Sequence, residues 1–158
     1  MNPQTILNFW FGDDPNIIQN QKLWFEVNFK TDEIIKNNFE IYLTKAEKNE
    51  LNHWCVEYEK GQFALVIIFD QIAKFIHRGT SLMFQNEFRA VELAYDIIES
   101  KRLFNFLNSI EKYFLYATLL NTENIKMAEI GLAGVKDLYD TSTNDKKGKI
   151  AFDLLFLL

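Results

Sequence analysis

The 158-residue chain is about one domain's worth of sequence, and its 48% apolar content is enough for a full core. Aromatic residues make up 15%, most of them among 15 Phe, while 6 Gly and 2 Pro leave few breaks, which suits helices packed on helices rather than a turn-rich β fold. A net charge of −5 and a pI near 5.1 argue against nucleic acid as the main partner and against adhesion to anionic membranes, because both need clustered Lys and Arg.

Nearly every segment has helical period. Pro3 stands where a first-turn proline is tolerated, and Ile6, Leu7, Trp10 and Phe11 share one side of a short helix that GDDP at 12–15 ends. Between 16 and 29, Ile17, Ile18, Leu23, Trp24, Val27 and Phe29 predict a second helix. Thr31 and the acids behind it predict a cap, followed by a helix to about Asn49 through Ile34, Ile35, Phe39, Tyr42, Leu43 and Ala46. Leu51 and Trp54 are expected to anchor the loop beyond it.

Gly61 precedes a helix over about 62–77, which RGTS at 78–81 breaks. Phe84, Phe88, Val91, Leu93, Ala94, Ile97 and Ile98 mark the next, to about Ser100. SIEKYFLYATLL at 109–120 is strongly apolar and expected to be central. Another helix starts near Asn121-Thr122 and runs through Ile125, Ala128, Ile130, Leu132 and Val135 to Leu138-Tyr139. TSTND is a linker, and a last helix runs from about 146 to the end. The expectation is all-α, with seven or eight antiparallel helices in a single domain over 1–158. No interval of some thirty residues repeats.

The helix at 62–77 carries the chain's best site candidate. At about 100° per residue, Ala64, Leu65, Ile68, Phe69, Ile72, Phe75 and Ile76 share a wide face. Asp70, Lys74 and His77 line up opposite, flanked by Gln71 and Arg78. Asp70 leads Lys74 by four residues, the favourable order for a helical ion pair. Arg78, before Gly79, can cap the last carbonyls or present a fork to a carboxylate or phosphate. The structural alternative has the same charges bonding neighbouring helix ends.

Other candidates have plainer readings. His53 stands in a loop with no spaced partner, and two scattered histidines with one cysteine do not make a zinc site. Cys55, the only cysteine, excludes an intramolecular disulfide and reads as a buried inert thiol. Glu111 and Glu123 could join Asp70 in an acid cluster facing Lys74 and Arg78, although capping or solvated roles suit them. Trp10, Phe11, Trp24 and Phe25 read as core, and Gly131 and Gly134 as a close helix contact. The N-terminus lacks the basic region of a secretory signal. No apolar run reaches the ~18–20 residues of a membrane span. A cytoplasmic protein is expected, with no cofactor and no metal.

Several stretches are familiar in this order: ILNFWFG at 6–12, Trp24-Phe25, DEII through Phe39, ELNHW at 50–54, GQFALVIIFDQIAKFIHRGT at 61–80 and EKYFLYATLLNTEN at 111–124. Together they resemble the bacterial family catalogued as domain of unknown function 924. The resemblance implies a tetratricopeptide-like superhelical array and no established activity. Asp70, Gln71, Arg78, Gly79 and Thr80 match the family's pattern, whereas Ala73, Lys74 and Phe75 replace its Pro, Arg and Asn. Of the later family run His-Ser-Glu-Asp, only Glu123 is kept, with Asn121, Thr122 and Asn124 beside it. The family's C-terminal Arg- and His-containing segment has no counterpart, so a truncated or divergent member is expected.

The functional expectation is a protein- or peptide-binding or scaffolding module with a polar site of Asp70, Gln71, Lys74, His77, Arg78 and Glu123. Helical arrays commonly bind peptides on a concave face. The alternative is a hydrolase-like enzyme using Asp70, His77 and Glu123, with Lys74 and Arg78 holding an anion. A third possibility is a structural core whose function lay in the missing C-terminal segment.

Overall fold

The computed structural model describes residues 1–13 and 20–141, and every regular element among them is helical. In chain order these are α1 (Pro3–Phe11), α2 (Gln21–Phe25), α3 (Phe29–Glu47), α4 (Trp54–Glu57), α5 (Gly61–Ile67), a π-helical turn (Ile68–Ile72) and α6 (Ala73–Ile76). A 3₁₀ turn (Ser81–Phe84), α7 (Glu87–Ser100), a second 3₁₀ turn (Phe104–Phe106), α8 (Ser109–Leu120) and α9 (Ile125–Thr141) follow. Because α5, the π turn and α6 succeed one another without a break, they form one rod, and the described residues then hold eight helices. None of these is long and apolar enough to cross a membrane. The chain divides into two compact units, Met1–Leu93 and Ala94–Leu158, with the division inside α7.

In the first unit α1 forms as the apolar spacing requires. Asn2 caps it, accepting the Gln4 N–H at 2.8 Å, Pro3 occupies the first turn, and Ile6, Leu7, Trp10 and Phe11 are buried. Gly12, at φ 86°, ends it. The carbonyls left over at its C-terminal end are satisfied from α2: Asn20 donates to Phe9 O and Trp10 O, and the Trp24 indole N–H donates to Trp10 O at 2.9 Å. α1 packs on α5, with the Phe11 and Phe63 rings stacked at 5.6 Å.

The helix expected between 16 and 29 is shorter than its apolar spacing suggested. α2 stops at Phe25, Glu26 and Asn28 are extended, and Val27 and Phe29 are exposed. Ile17 and Ile18 lie outside the described residues. α3 also starts earlier than Thr31, because Asn28 is the cap: its Oδ1 accepts the Lys30 and Thr31 N–H groups. Ile35, Phe39, Leu43 and Ala46 form its single buried stripe, leaving Ile34 outside it and exposed. α3 packs against the π turn and α6.

Leu51 and Trp54 are buried as expected, and Gly61 is required where it stands. A Cβ there would lie 2.0 Å from the Trp54 carbonyl oxygen, so α5 can begin only on glycine. The segment after the rod departs from expectation. Phe84 and Phe88 face solvent, and the buried stripe of α7 is Ala90, Val91, Ala94 and Ile97. Residues 81–84 form a 3₁₀ turn, so the helical phase that linked Phe84 to Val91 does not run through them.

In the second unit α8 opens on a capping box. Asn108 accepts the Glu111 N–H and Glu111 accepts the Asn108 N–H, each at 2.9 Å, which fixes the start of α8 and uses Glu111 structurally. α9 starts at Ile125 rather than at Asn121, with Asn124 Oδ1 accepting the Met127 N–H. A Cβ on Gly131 would sit 2.6 Å from Leu120 N and Tyr116 O, and one on Gly134 would enter the Tyr116 ring. The contact moves down α8 as it moves up α9, so the two helices run antiparallel. Ile125 and Leu132 are exposed on α9. The expected final helix from 146 lies outside the described residues.

Candidate functional site

The rod from Gly61 to Ile76 is the site's scaffold. Phe63 through Phe69 are buried without interruption, as expected of a helix surrounded by protein. Polar side chains begin where its geometry changes. Asp70 lies in the π turn, where hydrogen bonds span five residues rather than four, a departure from α geometry that recurs at functional sites. Its side chain is only 4% exposed. Oδ1 accepts from Lys74 Nζ at 2.6 Å and Oδ2 from Gln71 Nε2 at 2.7 Å. The expected ion pair therefore forms, and both carboxylate oxygens are engaged.

Arg78 follows the rod's end and does not cap it. Thr80 does, donating from N and Oγ1 to the His77 carbonyl at 3.0 and 2.8 Å. The Arg78 guanidinium lies over the Phe75 ring at 4.8 Å and makes a two-pronged bond to Asp32 on α3, Nε to Oδ2 at 2.6 Å and Nη2 to Oδ1 at 3.1 Å. Asp32 is the partner of Arg78 that sequence reading missed, since an acid in the first turn of α3 explains itself through the helix dipole. Nothing local ties it to an arginine 46 residues away.

The other expected members take no part in this pairing. His77 is half-buried at the end of α6, and among the described residues its imidazole makes no hydrogen bond that would orient it. Glu123 is exposed in the turn between α8 and α9, in the second unit, whereas the other five belong to the first. Cys55 is exposed rather than buried, because α4 is a four-residue turn that inserts only Trp54. Desolvation still raises its thiol above the ordinary range, which keeps it protonated at neutral pH. Among the described residues no group of three or more His, Cys, Asp and Glu could hold a metal ion. A cleft of about 200 Å³ lies elsewhere in the unit, between the start of α1 and Tyr58, Glu59 and Lys60.

Two acids and two bases thus cancel formally, but they are not equally accessible. Lys74 is 26% exposed against 4% for Asp70, and Arg78 is 28% exposed against 14% for Asp32. An ammonium has three donors and a guanidinium five, and the bonds above use one of the first and two of the second. The arrangement keeps the acid of each pair less exposed than its base. It suits holding an anion better than moving a proton, since general acid–base work needs an oriented group in reach of substrate.

The model of a family described as bacterial protein of unknown function (DUF924) matches residues 6–154. The chain belongs to that family. Among solved structures it is similar to a protein of unknown function from Agrobacterium tumefaciens, with a TM-score of 0.71 and 20% identity over 96% of this chain and 78% of that one. At that identity the likeness shows the fold alone. No curated protein matches.

Proposed function

We propose that the protein is a non-catalytic binding module that recognises a carboxylate-bearing segment of another protein through Lys74 and Arg78. The supporting observation is the asymmetry of the two ion pairs, in each of which the acid is less exposed than its base. Burying an ion pair rarely gains stability over apolar packing, so charges kept at a π turn in a buried rod point to a role besides folding. Asp70, Gln71 and Asp32 then serve to hold the two cations in place, and His77 lies beside them in sequence.

The test is fluorescence anisotropy with a labelled Glu-rich peptide. Binding should weaken steeply with added salt. It should fall about tenfold or more in Asp70→Asn/Lys74→Gln, a pair of substitutions that removes both charges together and so spares the fold. Retention of affinity by a folded double variant would sink the reading.

A further inference from the structure

We infer that Met83 is an oxidation-sensitive latch, whose conversion to the sulfoxide by a peroxide releases the turn that joins the rod to α7. The inference is independent of the anion-binding reading. Beyond Arg78 the chain turns at Gly79, where φ is 79°, and enters the 3₁₀ turn that packs on α6. Met83 is bonded into this stretch at two points: its N–H donates to the Thr80 carbonyl at 3.3 Å, and its Sδ accepts the Gly79 N–H at 3.2 Å. Thr80 donates to the His77 carbonyl, so the same stretch closes the end of the rod.

Of the chain's 3 methionines, Met83 alone has its sulfur in a hydrogen bond among the described residues. Met127 is bonded through its backbone N–H, and Met1 is exposed. A thioether is a weak acceptor, and the latch depends on the lone pair it offers. Met83 is half-buried and its bond lies at the surface, within reach of a small oxidant. Hydrogen peroxide reacts with the sulfur's other lone pair: an S–O bond forms, the O–O bond breaks, sulfur gives up two electrons, and the second oxygen leaves as water. The sulfur then carries partial positive charge and accepts a hydrogen bond poorly. Oxygen on the bonded side would require the side chain to withdraw, since 3.2 Å between nitrogen and sulfur leaves no space for an atom between them. Either sulfoxide epimer therefore breaks the contact of the Gly79 N–H with Sδ and shifts the turn. A sulfoxide reductase restores the thioether, which makes the latch reversible.

The experiment treats the full chain with hydrogen peroxide, after Cys55→Ser has removed the exposed thiol that would compete for it. Mass spectrometry reads the oxidation and NMR reads amide exchange. A gain of one oxygen at Met83 should speed exchange of the Gly79 amide about fivefold, with the Thr80 amide following and the α9 amides unmoved. Sulfoxide reductase should reverse the change. In Met83→Leu the Gly79 amide should exchange fast from the outset and ignore peroxide. Unchanged Gly79 exchange in a chain whose Met83 is fully oxidised overturns the latch. So does a peroxide response that survives Met83→Leu, or a Met83 that stays reduced while Met1 and Met127 oxidise. None of these readouts involves Lys74 or a peptide, so the anion-binding reading stands or falls separately.

Discussion

The rod of the first unit and the α8–α9 hairpin of the second solve close helix packing in opposite ways. The hairpin removes side chains: Gly131 and Gly134 let α9 rest directly on Leu120 and Tyr116. The rod instead keeps charges in a buried setting and gives up α geometry for one turn around Asp70. Shape complementarity contributes to stability with little else to explain, whereas buried charge must be paired to be tolerated at all.

Three variants sharpen that contrast. Lys74→Ala should have the largest effect, about 3–5 kcal/mol, because it takes the ammonium away from the buried Asp70 carboxylate. A melting temperature lower by about ten degrees or more would register it, while Asp70→Asn/Lys74→Gln should stay within about 1.5 kcal/mol. Equal losses in both would make the rod as dependent on its charges as the hairpin is on its glycines.

Gly131→Ala comes next. Its Cβ would press on two backbone atoms at 2.6 Å that cannot rotate away, an overpacking cost of about 3 kcal/mol set against about 1 kcal/mol of gained helix propensity. A net loss of about 2 kcal/mol in chemical denaturation is expected, and a neutral result would remove close packing as the reason for the glycine.

The smallest effect is at Tyr113, buried in α8 with no partner for its hydroxyl among the described residues. Burial pushes its phenol up to about 12, so the neutral form is favoured in the fold. The stability this contributes is complete below the ordinary value of 10 and is lost as pH rises through about 12. Tyr113→Phe should leave stability at neutral pH unchanged or raised and flatten the alkaline decline, read from denaturant midpoints on either side of pH ~10.

The helices were largely legible in the sequence because apolar spacing records burial. Ile6 through Phe11 and the stretch 109–120 read directly, and Gly131 and Gly134 read as a close contact. What escaped was governed by single capping atoms or by distant partners. Asn28 rather than Thr31 starts α3, and its side-chain oxygen is not distinguishable by pattern from a neighbour's. Phe84 and Phe88 look like core by spacing and face solvent in the fold. The Asp70–Lys74 pair was legible because it is local, and the Arg78–Asp32 fork was not, because 46 residues separate its halves.

The π turn at Ile68–Ile72 has a consequence for comparing relatives. Such a turn fits one more residue into a helix of nearly the same length, which is the mark a single-residue insertion leaves without disturbing either end. A relative with one residue fewer between Ile68 and Ile72 could keep the contacts of α5 and α6 as an ordinary α-helix. Alignments of this family should therefore admit a one-residue gap there, where the numbering of the Asp70 and Lys74 positions would otherwise slip.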